Sequence, residues 1–371
     1  MSRSPDVLVV GAGVVGLFVA RALRERGLHV VVLERAGVGE GQSGVQPGGV
    51  RLQWGTPVAC ELARESHAWW RRAGGELDGR AFAFSACGYL FLAHSEQALA
   101  RLAASVRVQN AAGIPSRIVS AAEAAELVPG LLVDTVVGGS YCAEDGYLDR
   151  PQAAVAALAR GLDVRIAAVG SVARDGAGWA LETSAGRLAA PAVVLAAGAE
   201  TRALVGPLGI ELPIEPEPRH LFLSQPIRER LLEPLVVSAE RRFAAKQLHS
   251  GRVLTSDLGA SGDPESEAPR WRRNVRAAIR ELLPILEYVD LATVVSGAYD
   301  VTPDRQPILG PLPGLDGLHV AAGFSGHGLM IAPAVGRLVA AAVAGERDPL
   351  LDVLDPLRFA EGRALPEPQV I

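Results

Sequence analysis

Apolar residues run unbroken from Val7 to Val10, halt at Gly11, and resume with helical spacing over residues 14–26. A short run with no polar interruption reads as a strand buried on both faces, as in a parallel sheet. Gly27 stops the helix, and residues 29–33 form a second buried strand that leads to Glu34. Thr56 stands as the N-cap of an amphipathic helix through Cys60, Ala63 and Ala68 to about Arg72, ended by the Trp69-Trp70 pair. Residues 82–93 read as a strand pair turning near Cys87-Gly88, and helices open at Ser95 and Ser120. Asp145-Gly146 reads as a turn, and Pro151 opens a helix through Arg160.

Strand texture returns over residues 164–172 and 179–183, joined by a turn at Asp175-Gly176, and over 192–199, where a buried strand ends on Gly198. The proline-rich stretch 213–218 reads as a crossover into a β-rich block over 219–296. That block holds strands at 243–248 and 252–256 and a helix over 270–283. A strand at 318–321 and the cluster Gly323-Phe-Ser325-Gly326-His327-Gly328 precede a last helix over 329–344.

The 371 residues suffice for two domains. A net charge of −5 with no long basic run speaks against a nucleic-acid partner. The cations are overwhelmingly arginine, a bias of genomic character. Cys60, Cys87 and Cys142 lie far apart, so neither a disulfide framework nor a metal site is expected. Pro5-Asp6 interrupts the apolar stretch after Arg3, which speaks against a secretory signal, and no uncharged run is long enough to span a bilayer. A cytoplasmic protein is expected.

The first glycines fit G-x-G-x-x-G. Gly11 makes the tight turn, Gly13 lets backbone approach a pyrophosphate, and Gly16 brings the helix close to the sheet. The helix from Val14 aims its free N–H groups and dipole at the phosphates. Glu34 follows about 20 residues later, where a carboxylate accepts ribose hydroxyls. The glycine-dense stretch Gly37 to Arg51 reads as backbone wrapped around a ligand.

With these motifs the chain resembles the D-amino-acid-oxidase-like family of FAD-dependent oxidoreductases. Within it the likeness is to sarcosine oxidase β-subunits and related secondary-amine dehydrogenases. The resemblance rests on Gly11 to Gly16 with Glu34, Gly48-Gly-Val-Arg51, Ala196-Ala-Gly198-Ala, Thr302-Pro-Asp304, and Gly323 to Gly328. It implies a Rossmann-type α/β FAD domain from residues 1–80, 146–214 and 300–371. A smaller α+β substrate domain on an antiparallel sheet would come from 81–145 and 215–299.

It further implies oxidation of a C–N bond in an amino acid or N-substituted amine to an imine, with hydride passing to the flavin. Oxygen or an electron-transfer partner takes the electrons, and a place among other subunits is allowed. The resemblance assigns cofactor contacts to Gly11, Gly13, Val14, Val15, Gly16, Glu34, Arg35, Ser43, Gly48, Gly49, Val50, Val169, Ala197, Gly198, Asp304, Gly323, Ser325, Gly326, His327, Gly328 and Leu329. The last glycine motif would turn a helix N-terminus toward the flavin N1 and C2 carbonyl edge, with His327 beside the ring. Some relatives link flavin to a cysteine where this chain has Gly297, so the FAD is expected to be non-covalent. Relatives hold the substrate carboxylate with a lysine at Met330 or an arginine at Tyr299. Arg51 is therefore the expected carboxylate fork here, with Tyr299 beside it. Lys246 and His220 read as solvated surface residues. Two other functions stay open: a nicotinamide dehydrogenase, which Glu34 would suit equally, and an electron-relay subunit.

Overall fold

The computed structural model describes residues 4–77 and 84–369. Strand Val7–Val10 lies inside a six-stranded sheet ordered Ile308–Pro311, Leu318–Ala322, Ala192–Leu195, Val7–Val10, Val30–Glu34, Asp163–Ile166. All its pairings are parallel except that of the edge strand Ile308–Pro311. Strand alternation explains the unbroken apolar run. Val7 and Val9 face a core shared with helices Val14–Glu25, Pro57–Glu76 and Gly328–Val343. Leu8 and Val10 face Trp179 and Leu181 of a three-stranded antiparallel sheet.

A second large sheet of eight strands is ordered Thr293–Val301, Glu215–Leu223, Val253–Asp257, Phe243–Gln247, Leu235–Ser238, Tyr89–Ala93, Gly138–Cys142, Arg117–Val119. One face packs on helix Pro264–Leu282 through Phe222, Val236, Phe243, Ala245 and Trp271. The chain alternates between the two sheets. The second sheet is antiparallel, as expected, except where Leu235–Ser238 runs parallel to Tyr89–Ala93.

Several local expectations are corrected by long-range pairing. Phe84–Ala86 and Tyr89–Ala93 do not form a hairpin: the first pairs with Gly146–Leu148, the second joins the large sheet. The start of that stretch at Phe82 lies outside the described residues. Residues 164–172 form two strands, Asp163–Ile166 and Val169–Asp175, in different sheets. The chain leaves the first sheet where Ala167 N–H donates to Glu34 O. The turn expected at Asp145-Gly146 falls on residues 143–144, since Gly146 already opens a strand. The crossover at 213–218 is mostly strand, as Glu215–Leu223 carries both Pro216 and Pro218. Those prolines pair with Asp300 and Ala298 on one side, while contact with the other neighbour is confined to Phe222 and Leu223. A missing N–H is tolerated on such an unpaired edge.

The Trp69-Trp70 pair does not end its helix, which continues to Glu76. Trp70 has a role that its sequence neighbourhood conceals. Pro333 lies inside helix Gly328–Val343 and offers no N–H to the carbonyl of Leu329. The Trp70 indole N–H donates to that same carbonyl at 2.9 Å, in a fully buried place. Trp70→Phe removes the donor together with part of the packed indole, leaving a buried carbonyl unpaired beside a smaller ring. Urea unfolding is expected to show a loss of about 1–3 kcal/mol. A variant as stable as the parent would mean that the carbonyl finds another partner.

Candidate functional site

A cavity of about 1310 Å³ opens between the C-terminal ends of the first two parallel strands and the inner face of the eight-stranded sheet. Small-molecule pockets usually span roughly 300–1,000 Å³, so this one has room for a large ligand. The glycines at its first end are fixed by contact. Gly11 adopts φ 107°, and an added Cβ there would stand 2.4 Å from Ala196 O. A Cβ on Gly16 would stand 2.0 Å from Gly11 O, which leaves glycine as the residue that lets helix and turn touch. Val14 N–H donates to Ser43 Oγ at 2.9 Å, and no side chain of Gly13 caps the helix.

Glu34 accepts the N–H groups of Ala12 at 2.8 Å and Ala36 at 3.2 Å. It braces the glycine turn and keeps further lone pairs for ribose hydroxyls. Arg35 and Glu200 form an exposed ion pair on the same wall. These features fit a dinucleotide: a helix N-terminus whose first N–H meets a serine hydroxyl, glycines that let the turn, strand and helix close on one another, and a carboxylate beyond them.

A second helix N-terminus meets the cavity further along. Gly326, His327, Gly328, Leu329 and Met330 line the wall, and no side chain caps helix Gly328–Val343. His327 is buried, packs edge-on against Trp54 with centroids 4.3 Å apart, and is held well below the usual histidine range by burial and the nearby Arg51 charge. The ring is therefore neutral. Tyr299 covers Gly326, whose Cβ would stand 2.4 Å from its ring.

Of the cofactor contacts expected, Gly11, Gly13, Val14, Val15, Glu34, Arg35, Ser43, Gly49, Val169, Ala197, Gly198, Gly326, His327, Gly328 and Leu329 line this cavity. Gly16, Gly48, Val50, Asp304, Gly323 and Ser325 are not among the residues that line it. Asp304 is buried in a two-bond pair with Arg358, at 2.8 and 3.0 Å. Gly323 N–H donates to Asp300, and Ser325 Oγ accepts from Thr302 N–H.

Arg51 lies on the cavity wall, yet its fork is engaged. Its two terminal nitrogens donate to the carbonyls of Gln53 and Gln369, and its guanidinium lies 3.7 Å from the Trp54 ring centroid. The expected carboxylate clamp is thus bound to backbone. The C-terminal stretch that supplies one carbonyl was not anticipated as part of the site. Glu367 also accepts from Gly55 N–H, Thr56 N–H and Thr56 Oγ, so the Thr56 hydroxyl does not cap its own helix.

Lys246 and His220 are not solvated, contrary to expectation. Both are buried and border the cavity. His220 stacks on Trp271, with centroids 4.3 Å apart. Lys246 donates to Pro47 O and sits 4.9 Å from the Tyr147 ring centroid, with burial bringing its ammonium down to about 8. One sequence signal did mark it: Lys246 is the only lysine in the chain. Among the described residues no cluster offers a metal site, and no helix is long and apolar enough to cross a membrane.

Asp145 braces the loop that carries Arg51, accepting from Leu52 N–H and the Gln53 amide. Burial pushes its carboxyl up to about 7, whereas an unfolded aspartate ionises near about 4. Between those values the folded chain keeps a proton that the unfolded chain has lost, so this group lowers stability as pH rises. Relative to the parent, Asp145→Asn is expected to gain stability steadily from about pH 4 to 7 and to level off above. Parallel pH profiles of the urea midpoint would remove Asp145 as the cause.

The comparisons with known proteins agree with this geometry. The family described as "DAO: FAD dependent oxidoreductase" matches residues 6–342. Glycine oxidase of Pseudomonas aeruginosa is 30% identical, over 94% of this chain and 97% of that protein. Sarcosine oxidase subunit beta of Rhodobacter capsulatus is 25% identical, over 98% and 90%. The crystal structure of L-proline dehydrogenase from P. horikoshii superposes with a TM-score of 0.90 at 27% identity, covering 98% of this chain and 99% of that one.

Proposed function

The chain belongs to the DAO family of FAD-dependent oxidoreductases, and on that premise we propose that it oxidises the C–N bond of an amino acid or N-substituted amine to an imine. The observation that carries this reading is one cavity joining the glycine turn to the uncapped N-terminus of helix Gly328–Val343 and then to the inner face of the eight-stranded sheet. Bound FAD supplies the hydride acceptor.

The residues of this chain then do the rest. Gly13, Val14 and Ser43 receive the phosphates, and Glu34 the ribose. The N-terminus of helix Gly328–Val343 presents fixed positive potential to negative charge that develops next to it. Arg51 adds a permanent charge behind Trp54, and burial, joined by that charge, holds His327 well below the usual histidine range. His327 and Tyr299 shape the wall at Gly326 and exclude water there. We assign the cofactor-holding unit to residues 1–80, 146–214 and 300–371, the substrate unit to 81–145 and 215–299, and the site of action to the cytoplasm. Oxygen or a partner protein takes the electrons, and the likeness to a sarcosine oxidase β-subunit supports a place beside other subunits.

Purified protein is expected to be yellow, and anaerobic addition of its amino acid or amine to remove the flavin absorbance. A panel of both substrate classes that leaves the spectrum unchanged would overturn the reaction.

The flavin is expected to leave with acid. Gly297 stands where some relatives carry the linking cysteine, and it offers no thiol to the ring. Fluorescence migrating with the denatured chain would show a covalent link instead.

A further inference from the structure

The face of the eight-stranded sheet that closes the cavity has its own chemistry. Strand alternation brings Leu221, Leu235, Val237, Leu254, Leu258 and Val295 to this wall. Leu221 is directly paired with Val295, and Lys246 with Leu254, so the ammonium stands at the margin of an aliphatic surface. Lys246 is buried, and among the described residues no carboxylate reaches ion-pair distance from it; the charge of Asp149 acts on it from farther off and does not outweigh the burial. The acids Glu34, Glu40 and Glu200 line the cavity at its dinucleotide end. Asp300, the acid this sheet contributes to the wall, gives one carboxylate oxygen to Gly323 N–H.

The composition sharpens the point. The chain holds 35 arginines and one lysine. The buried arginines Arg51 and Arg358 have their guanidinium groups tied to backbone carbonyls or to Asp304, whereas Lys246 carries a compact ammonium with three donors. One donor goes to Pro47 O. A buried charge without an ionic partner is costly, and an anion brought to it relieves that cost.

We propose that the substrate is an amino acid with an apolar body larger than that of glycine, its carboxylate held by Lys246 and its side chain laid on the aliphatic face of the sheet. This rests on the C–N oxidation proposed above and goes beyond it in naming the substrate class.

The test titrates the FAD-loaded protein with acetate and with 4-methylpentanoate, followed by the shift in flavin absorbance. The longer acid is expected to bind about tenfold more tightly or better, through its added apolar surface. Lys246→Met is expected to weaken 4-methylpentanoate about tenfold, to leave 4-methylpentanamide unchanged, and to keep its FAD. Lys246→Arg should restore part of the acid binding. Equal affinity of the parent for the two acids would overturn the apolar class. Equal losses for acid and amide, or loss of FAD from Lys246→Met, would overturn the anchor and make Lys246 a strut of the Pro47 loop. A protein that ranks the ligands as expected, yet is bleached by no amine, would keep this pocket and fail the reaction proposed above.

Discussion

Two helices approach each other closely enough for backbone to meet backbone, and the cavity depends on that approach. A Cβ on Gly336 would stand 2.8 Å from the carbonyl of Phe18, and one on Gly328 would stand 3.6 Å from Val15 Cγ2. Helices Val14–Glu25 and Gly328–Val343 are therefore locked along their length on one side of the six-stranded sheet. Locked in this way, their N-termini open into the same cavity. Each macrodipole supplies roughly half a positive charge at its end. A ligand with phosphates at one point and developing negative charge at another meets positive potential at both.

The opposite side of the cavity is held by buried polar groups. Thr56 takes a hydrogen bond from Gln306 and gives one to Glu367, so three distant stretches of chain meet at one hydroxyl. Glu367 is also the acid whose field most favours the Arg51 charge. Beyond it Arg51 lies over the Trp54 ring, and His327 packs edge-on against that ring. Charge near the second helix N-terminus is thus set by groups that water does not reach. That arrangement keeps its electrostatic effect strong and its geometry fixed.

What the sequence made legible was what short stretches decide for themselves. Gly11 to Gly16 and Glu34 act within one strand-turn-helix-strand unit, so pattern and spacing were enough. Ser95 and Ser120 cap their helices as expected because capping is local. The failures share a different cause. Asp145 lost its turn because its carboxylate is claimed by Leu52 and Gln53, more than ninety positions away in sequence. Pro216 and Pro218 read as a crossover because nothing near them shows that their strand has an open side. Arg51 was expected to face a ligand, since no local signal ties it to a carbonyl at the far end of the chain. Lys246 was misread because burial is a property of the fold, although its solitude in the composition was visible throughout.

The partnership of Trp70 and Pro333 bears on how such a chain accumulates change. Pro333 withholds an N–H and Trp70 supplies one, from helices far apart in the sequence. The two positions are therefore not independent loci. A proline arriving opposite a residue without a donor would strand a dry carbonyl. A tryptophan arriving first would be tolerated, and would make the proline acceptable afterwards. Once both are present, neither reverts without loss unless the other has gone first. Substitution effects measured at one position therefore hold only in the background of the other.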